Sequence, residues 1–215
     1  MHGLRCPWSE VLALNRTEGP MYPTSNDLAP TTRRPVIKML NEHLADVIDL
    51  QLQAKQAHWN IKGPSFVALH ELFEQVAVQA AEYADLLAER ATALGGVARG
   101  TLKAVAGQSR LPEYPLEVGQ WRAHVQAMQD ALAAFGRGAR RAINDAEALN
   151  DAVTADLFTE VARGVDKSLW LVEAHVQDAP EDEKHVDRPP AGRSRRDHDV
   201  AAVRAAPRGS PAMNR

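Results

Sequence analysis

A single cysteine, Cys6, in 215 residues leaves no internal disulfide framework and fits a reducing compartment. Aromatic residues make up only 5 % of the chain, too few for the usual core of a sheet protein. Alanine is abundant instead, and the prolines collect outside the long periodic runs, which together predict an all-helical fold. No apolar stretch approaches the roughly 20 residues that a membrane-spanning helix needs. The opening residues are broken by Pro7, Trp8, Ser9 and Glu10 and do not make a secretion signal. The expected location is therefore cytoplasmic, with no membrane contact.

Net charge is also small overall, formally -3, but it is unevenly placed. Residues 188–215 hold seven arginines against Asp197 and Asp199, a balance of +5, which leaves -8 for the rest. An acidic body attracts metal cations and repels phosphate, so nucleic acid would have to be met by the basic tail or by Arg33-Arg34. Within the tail, Arg188, Arg193, Arg195, Arg196, Arg204 and Arg208 are the candidate DNA contacts.

Periodicity divides the chain into three regions. Residues 1–34 are proline-punctuated and without period, and read as a flexible extension in which Met21 is a candidate true start. Residues 35–178 carry four long helical patterns: 35–60, with Val36, Leu40, Leu44, Val47, Ile48 and Leu52 as its apolar stripe; 65–94; 119–147, weakened by Gly136 and Gly138; and 151–176, with Leu157, Val161, Val165, Leu169 and Val172 inward. A short helix at 101–106 is expected in the long connection between the second and third. Four helices with one long crossover describe a ferritin-like bundle. Residues 179–215 are rich in proline, arginine and small residues and cannot bury enough surface to order themselves.

The second helix carries the chemistry. Neither proline nor glycine occurs in residues 66–94, so the stretch can run unbroken. At about 100° per residue, with His70 at zero, Glu74 falls near 40°, Asp85 near 60° and Glu89 near 100°. Phe66, Leu69, Phe73, Val76, Ala77, Ala80, Ala84 and Leu87 occupy the opposite arc and form the stripe that meets the subunit's own core. The ligand-type residues thus face away from that core, interleaved with Val78, Ala81 and Ala88, which suit a second helix better than water. At about 1.5 Å per residue, the step from 74 to 85 is roughly 16 Å, too long for one metal site. An antiparallel copy of the helix across a two-fold near residues 79 and 80 would bring 70 and 74 of one chain opposite 89 and 85 of the other. His58, just before the Lys62-Gly63-Pro64 break, would be returned to the neighbourhood of His70. Taken singly, each carboxylate also fits an ordinary solvated helix face. Trp59 beside His58 either packs the site or intercepts stray oxidising equivalents.

Several motifs resemble one family. Ala57-His58-Trp59-Asn60, Lys62-Gly63-Pro64, Leu69-His70-Glu71-Leu72-Phe73, Ala88-Glu89-Arg90 with Leu94-Gly95-Gly96, Phe158-Thr159-Glu160, and Gly164-Val165-Asp166-Lys167 with Glu173-Ala174-His175 are similar to the Dps family of DNA-protecting mini-ferritins. The similarity covers about residues 21–177. It implies a hollow shell of twelve subunits with ferroxidase sites at dimer interfaces, in which His58, His70 and Glu74 of one chain and Asp85 and Glu89 of its partner bind iron. Members commonly carry aspartate where this chain has Glu74. Hydrogen peroxide or oxygen would oxidise Fe(II), ferric mineral would collect inside, and DNA would be spared oxidative damage, with nucleoid association as a corollary. Acidic three-fold pores in the family place Asp145, Glu147, Asp151 and Asp156 as a candidate iron inlet; the competing role for Asp151 is favouring a helix N-terminus.

Two rivals stand beside this reading. A conventional ferritin keeps its di-iron site inside the bundle on Glu-x-x-His pairs, and none occurs here. A structural protein that compacts DNA, with weak ferroxidase activity, would draw on the arginine tail, whose phosphate contacts would gain avidity across many subunits and lose it with salt.

Overall fold

The computed structural model describes residues 19–177. Five helices follow in order: α1 (Pro30–Asn60), α2 (Phe66–Ala93), α3 (Leu102–Gln108), α4 (Trp121–Ala148) and α5 (Ala152–Glu173). The four long ones form the bundle. α1 packs chiefly on α2 and α4 chiefly on α5, and contacts of α1 with α4 and of α2 with α5 close the two pairs on each other. A short turn reverses α1 into α2. The connection through α3, which lies on α1, returns the chain to that same end, because Trp121 at the head of α4 lies against Gly63 in the turn. This is the crossover expected of a ferritin-like bundle.

The core is built from the inward faces the periodicity marks. Leu40, Leu69, Phe73, Leu87, Leu132, Phe135 and Phe158 are fully buried. Two stripe assignments shift. Leu52 is 48 % and Phe66 43 % exposed; Leu50, Ala54 and Ala57 take the inward positions of α1 in place of Leu52, and Phe66, at the first position of α2, lies instead 5.1 Å from the His70 ring. Gly136 and Gly138 are where α4 is approached closely: a Cβ on Gly138 would lie 3.3 Å from His43 Nε2 on α1, and one on Gly136 3.3 Å from Val165 on α5. Their cost in helix propensity accompanies tight packing on both sides.

The start of the fold differs from the expectation of an unstructured extension up to residue 34. α1 begins five residues earlier, with Pro30 in the first turn, where its missing N–H costs nothing, and Pro35 inside the helix. Ahead of it, Tyr22 N–H donates to Gly95 carbonyl at 2.7 Å, and the Arg33 guanidinium donates to Leu94 carbonyl at 2.9 Å and to Leu28 carbonyl at 3.0 Å. The bonds to Leu94 and Gly95 meet carbonyls left free where α2 ends. Gly95 turns the chain there with φ +84°, and a Cβ at that position would meet the Tyr22 carbonyl. No helix among the described residues is long and apolar enough to cross a membrane.

Candidate functional site

The last turn of α1 and the first turns of α2 are tied together by two histidines. His58 Nδ1 donates to the His70 carbonyl at 2.8 Å, and His70 Nδ1 donates to the His58 carbonyl at 2.9 Å. The two rings stack, with centroids 3.7 Å apart and planes at 23°. A carbonyl oxygen only accepts, so each Nδ1 must carry the hydrogen, and in the neutral ring the lone pair then lies on Nε2. That is the tautomer a metal ligand needs, fixed by the backbone of the opposite helix.

Glu74 lies one turn beyond His70 and comes to the same place. Its carboxylate is 3.4 Å from His58 Nδ1, a nitrogen already engaged with the His70 carbonyl. It is held instead by Lys55, whose Nζ is 2.5 Å from Glu74 Oε2. The Lys55 hydrogen bond, with the Lys55 charge behind it, holds the Glu74 carboxyl below the usual carboxylate range against desolvation, which acts the other way. Lys55 also lies 5.6 Å from the centre of the Trp59 ring, and Trp59 is 63 % exposed. Trp59 therefore does not pack into its own subunit. The sequence reading missed Lys55, although it sits three residues before His58 and four before Trp59, spacings that share one helix face.

Asp85 and Glu89 lie exposed farther along α2, on the same side as His70 and Glu74 but not beside them. Among the described residues no group of three or more His, Cys, Asp or Glu in one chain is placed to hold a metal. The arrangement is thus two separated half-sets on one outward face, accompanied by exposed Val78, Val67 and Phe66.

The acidic cluster at the α4–α5 junction divides. Asp145, Glu147 and Asp156 are exposed. Asp151 is 2 % exposed and caps α5, accepting from Thr154 N–H at 3.0 Å and Thr154 Oγ1 at 2.6 Å and from the Arg90 guanidinium at 2.8 and 3.0 Å. Its carboxylate is fully engaged, which takes it out of the solvent-facing set. The six tail arginines, Arg188 to Arg208, lie outside the described residues.

A family model described as Ferritin-like domain matches residues 37–181. The "DNA protection during starvation protein" of Agrobacterium fabrum is 44 % identical over 157 residues, covering 73 % of this chain and 97 % of that protein. The chain belongs to the Dps family of ferritin-like proteins. Another member, from Mycolicibacterium smegmatis, is 32 % identical over 144 residues, covering 67 % of this chain and 78 % of the relative. Among solved structures, DpsC from Streptomyces coelicolor superposes with a TM-score of 0.71 at 30 % identity, covering 76 % of this chain and 95 % of that one. A Dps homologue from the archaeon Halobacterium salinarum gives 0.70 at 26 % identity, over 77 % and 93 %. The Dps frame thus spans the helices that carry His58, His70, Glu74, Asp85 and Glu89.

Proposed function

We propose that two copies of this Dps chain, joined across a two-fold on α2, oxidise Fe(II) with hydrogen peroxide or oxygen at sites shared between them. The observation that carries the reading is the pair of stacked imidazoles, each locked by the other's backbone carbonyl so that Nε2 is left as a ligand. His58, His70 and Glu74 of one chain and Asp85 and Glu89 of its partner form the set. Imidazole and carboxylate hold Fe(II) without excluding an oxidant, and carboxylates favour the harder Fe(III) product. The exposed Val67 and Val78 on the same face supply apolar surface for the pairing. Assembly of such dimers into a twelve-subunit shell, storage of ferric mineral within it, admission of iron past Asp145, Glu147 and Asp156, and the protection of DNA named in the relatives complete the proposal. The arginine tail is the segment assigned to DNA.

Anaerobic Fe(II) followed by one portion of peroxide tests the reading directly. Ferric absorbance should rise rapidly with the protein and slowly in buffer, and equal traces would refute it.

Lys55 sets the strength of the site. Its ammonium occupies the Glu74 carboxylate, so iron must displace a cation already there. Lys55→Met should lower the Fe(II) concentration for half-maximal oxidation several-fold. Without Lys55 the Glu74 pKa returns upward, so Glu74 takes up its proton at a higher pH and the acid limb of the rate profile moves up. An unchanged iron dependence and pH profile would show that Lys55 releases Glu74 at no cost.

A further inference from the structure

The sign of the charge reverses locally in the acidic body of the chain. A cavity of about 480 Å³ beside the first turns of α1 is lined by Arg34, Lys38, Arg99 and Arg110, against Glu42 as the acid among its lining residues. The lining carries a formal +3, or +2 when Asp46 behind Arg110 is counted. Residues 1–187 together carry -8.

Separate segments bring these cations together, and buried polar side chains fix where two of them go. Asn41 on α1 is 7 % exposed. Its amide donates to the Ile37 and Val97 carbonyls at 3.0 and 3.1 Å, and its oxygen accepts from the Arg99 N–H at 2.8 Å. That clamp seats the backbone of 97–99 on α1, and the Arg99 guanidinium reaches across to Gly19, 2.9 Å from where a Cβ would stand. Asp46, 3 % exposed, accepts from the Arg110 N–H at 2.7 Å and from its guanidinium at 2.6 and 3.1 Å. Arg110 also donates to Glu42 at 3.2 Å. Arg34 and Lys38 stand one turn apart on α1 and share a face.

Met21, Ile37 and Val97 supply apolar wall between the cations. A concave site lined by one sign of charge focuses its field on what enters, and a guanidinium can meet two phosphate oxygens at once in its planar fork. The volume falls in the range of roughly 300–1,000 Å³ that encloses a small molecule. Duplex DNA fits these walls poorly: its phosphates stand on a convex rod with the bases stacked inside, so no apolar part reaches Ile37 and Val97.

We propose that this cavity binds a nucleoside polyphosphate, a small molecule with several phosphate charges at one end and a flat ring at the other. The phosphates meet the guanidinium groups and the Lys38 ammonium, and the ring lies on the apolar wall. Arg34 and Arg99 have contacts within the chain, and several charges on one molecule are what competing with those contacts requires. Bound there, the ligand joins α1 to the segment ahead of it and to the links that carry Arg99 and Arg110, and so stabilises the folded chain. Iron takes no part in this binding, which stands apart from the oxidation of Fe(II).

Isothermal titration calorimetry of the full-length protein with ATP, in moderate salt and without divalent metal, tests the site. Wild type should take up one ATP per chain with saturation, and its unfolding temperature should rise with ATP concentration. Arg34→Gln/Arg99→Gln should weaken binding at least tenfold. Lys38→Gln, at a side chain 73 % exposed that bears little on folding, should weaken it several-fold. Replacing Arg188, Arg193, Arg195 and Arg196 with Gln should leave ATP binding as in wild type. Inorganic pyrophosphate should bind several-fold more weakly than ATP, and a short DNA duplex at equal phosphate concentration should not displace ATP. Absence of saturable ATP binding in wild type overturns the proposal, as does binding that survives both cavity variants or is lost with the tail arginines. Pyrophosphate bound as tightly as ATP, or displacement by the duplex, overturns it equally.

Discussion

Chains with both His58 and His70 replaced by alanine should oxidise Fe(II) with peroxide about 100-fold more slowly than wild type, and so should chains with Asp85 and Glu89 replaced. The estimate takes the upper end of the roughly 10- to 100-fold losses seen when even the outer partners of metal ligands are removed. The nearest replaced groups, at 70 and 85, are roughly 22 Å apart along α2, so equal losses would be hard to reconcile with a site inside one chain. The histidine pair also ties α1 to α2 through two hydrogen bonds to carbonyls, each contributing about 1 kcal/mol. Some loss of thermal stability should accompany that variant. Asp85 and Glu89 are exposed in the single chain, and their removal should leave its unfolding transition nearly unmoved. Stopped-flow ferric absorbance beside calorimetry separates the two effects. Wild-type rates in either variant would remove its residues from the site.

The second large effect concerns stability. Arg90 and Asp151 pair at 2.8 Å with side-chain exposures of 13 % and 1 %, and Arg90 Nε also donates to Thr154 Oγ1 at 3.0 Å. The pair fastens the end of α2 to the start of α5 and completes the cap of that helix. Burial pushes the Asp151 carboxyl up, but the bonds from Thr154 and the Arg90 guanidinium outweigh it and hold the group below its usual value. Arg90→Ala leaves a buried carboxylate with half its partners gone, and should cost about 3 kcal/mol. The pH dependence has a definite sign. Because the folded pKa is depressed, the contribution is fully present above the unfolded carboxylate value and is lost as pH falls through the folded one. Chemical denaturation should therefore show a wild-type advantage over Arg90→Ala at neutral pH that shrinks in acid. An advantage that is constant with pH would assign the cost to packing of the Arg90 stem.

Legibility in the sequence followed the range of the interactions. α2 was readable because an unbroken run with a 3.6-residue period has one helical solution, and the wheel then sets His70, Glu74, Asp85 and Glu89 on the outward face. The meeting of His58 with His70 followed from the short break at Lys62-Gly63-Pro64. What escaped depends on groups far apart in sequence or on side-chain choices. Lys55 takes Glu74 through a charge preference that periodicity does not encode. Asp151 looked like one more surface acid until Arg90, 61 residues earlier, claimed it. The segment ahead of Pro35 is held in part by hydrogen bonds to the carbonyls of Leu94 and Gly95, a source of order that composition does not register. Tyr114 and His124 are joined by a hydrogen bond across a proline-rich link whose path no local rule predicts.

Co-expression of the two defective chains tests the shared site most directly. Neither His58→Ala/His70→Ala nor Asp85→Ala/Glu89→Ala should oxidise iron alone. In a mixed dimer one site receives both defects and the other receives neither, so random pairing should restore about a quarter of wild-type activity. Recovery near that value establishes ligands drawn from both chains, and activity no greater than that of the separate variants would contradict it.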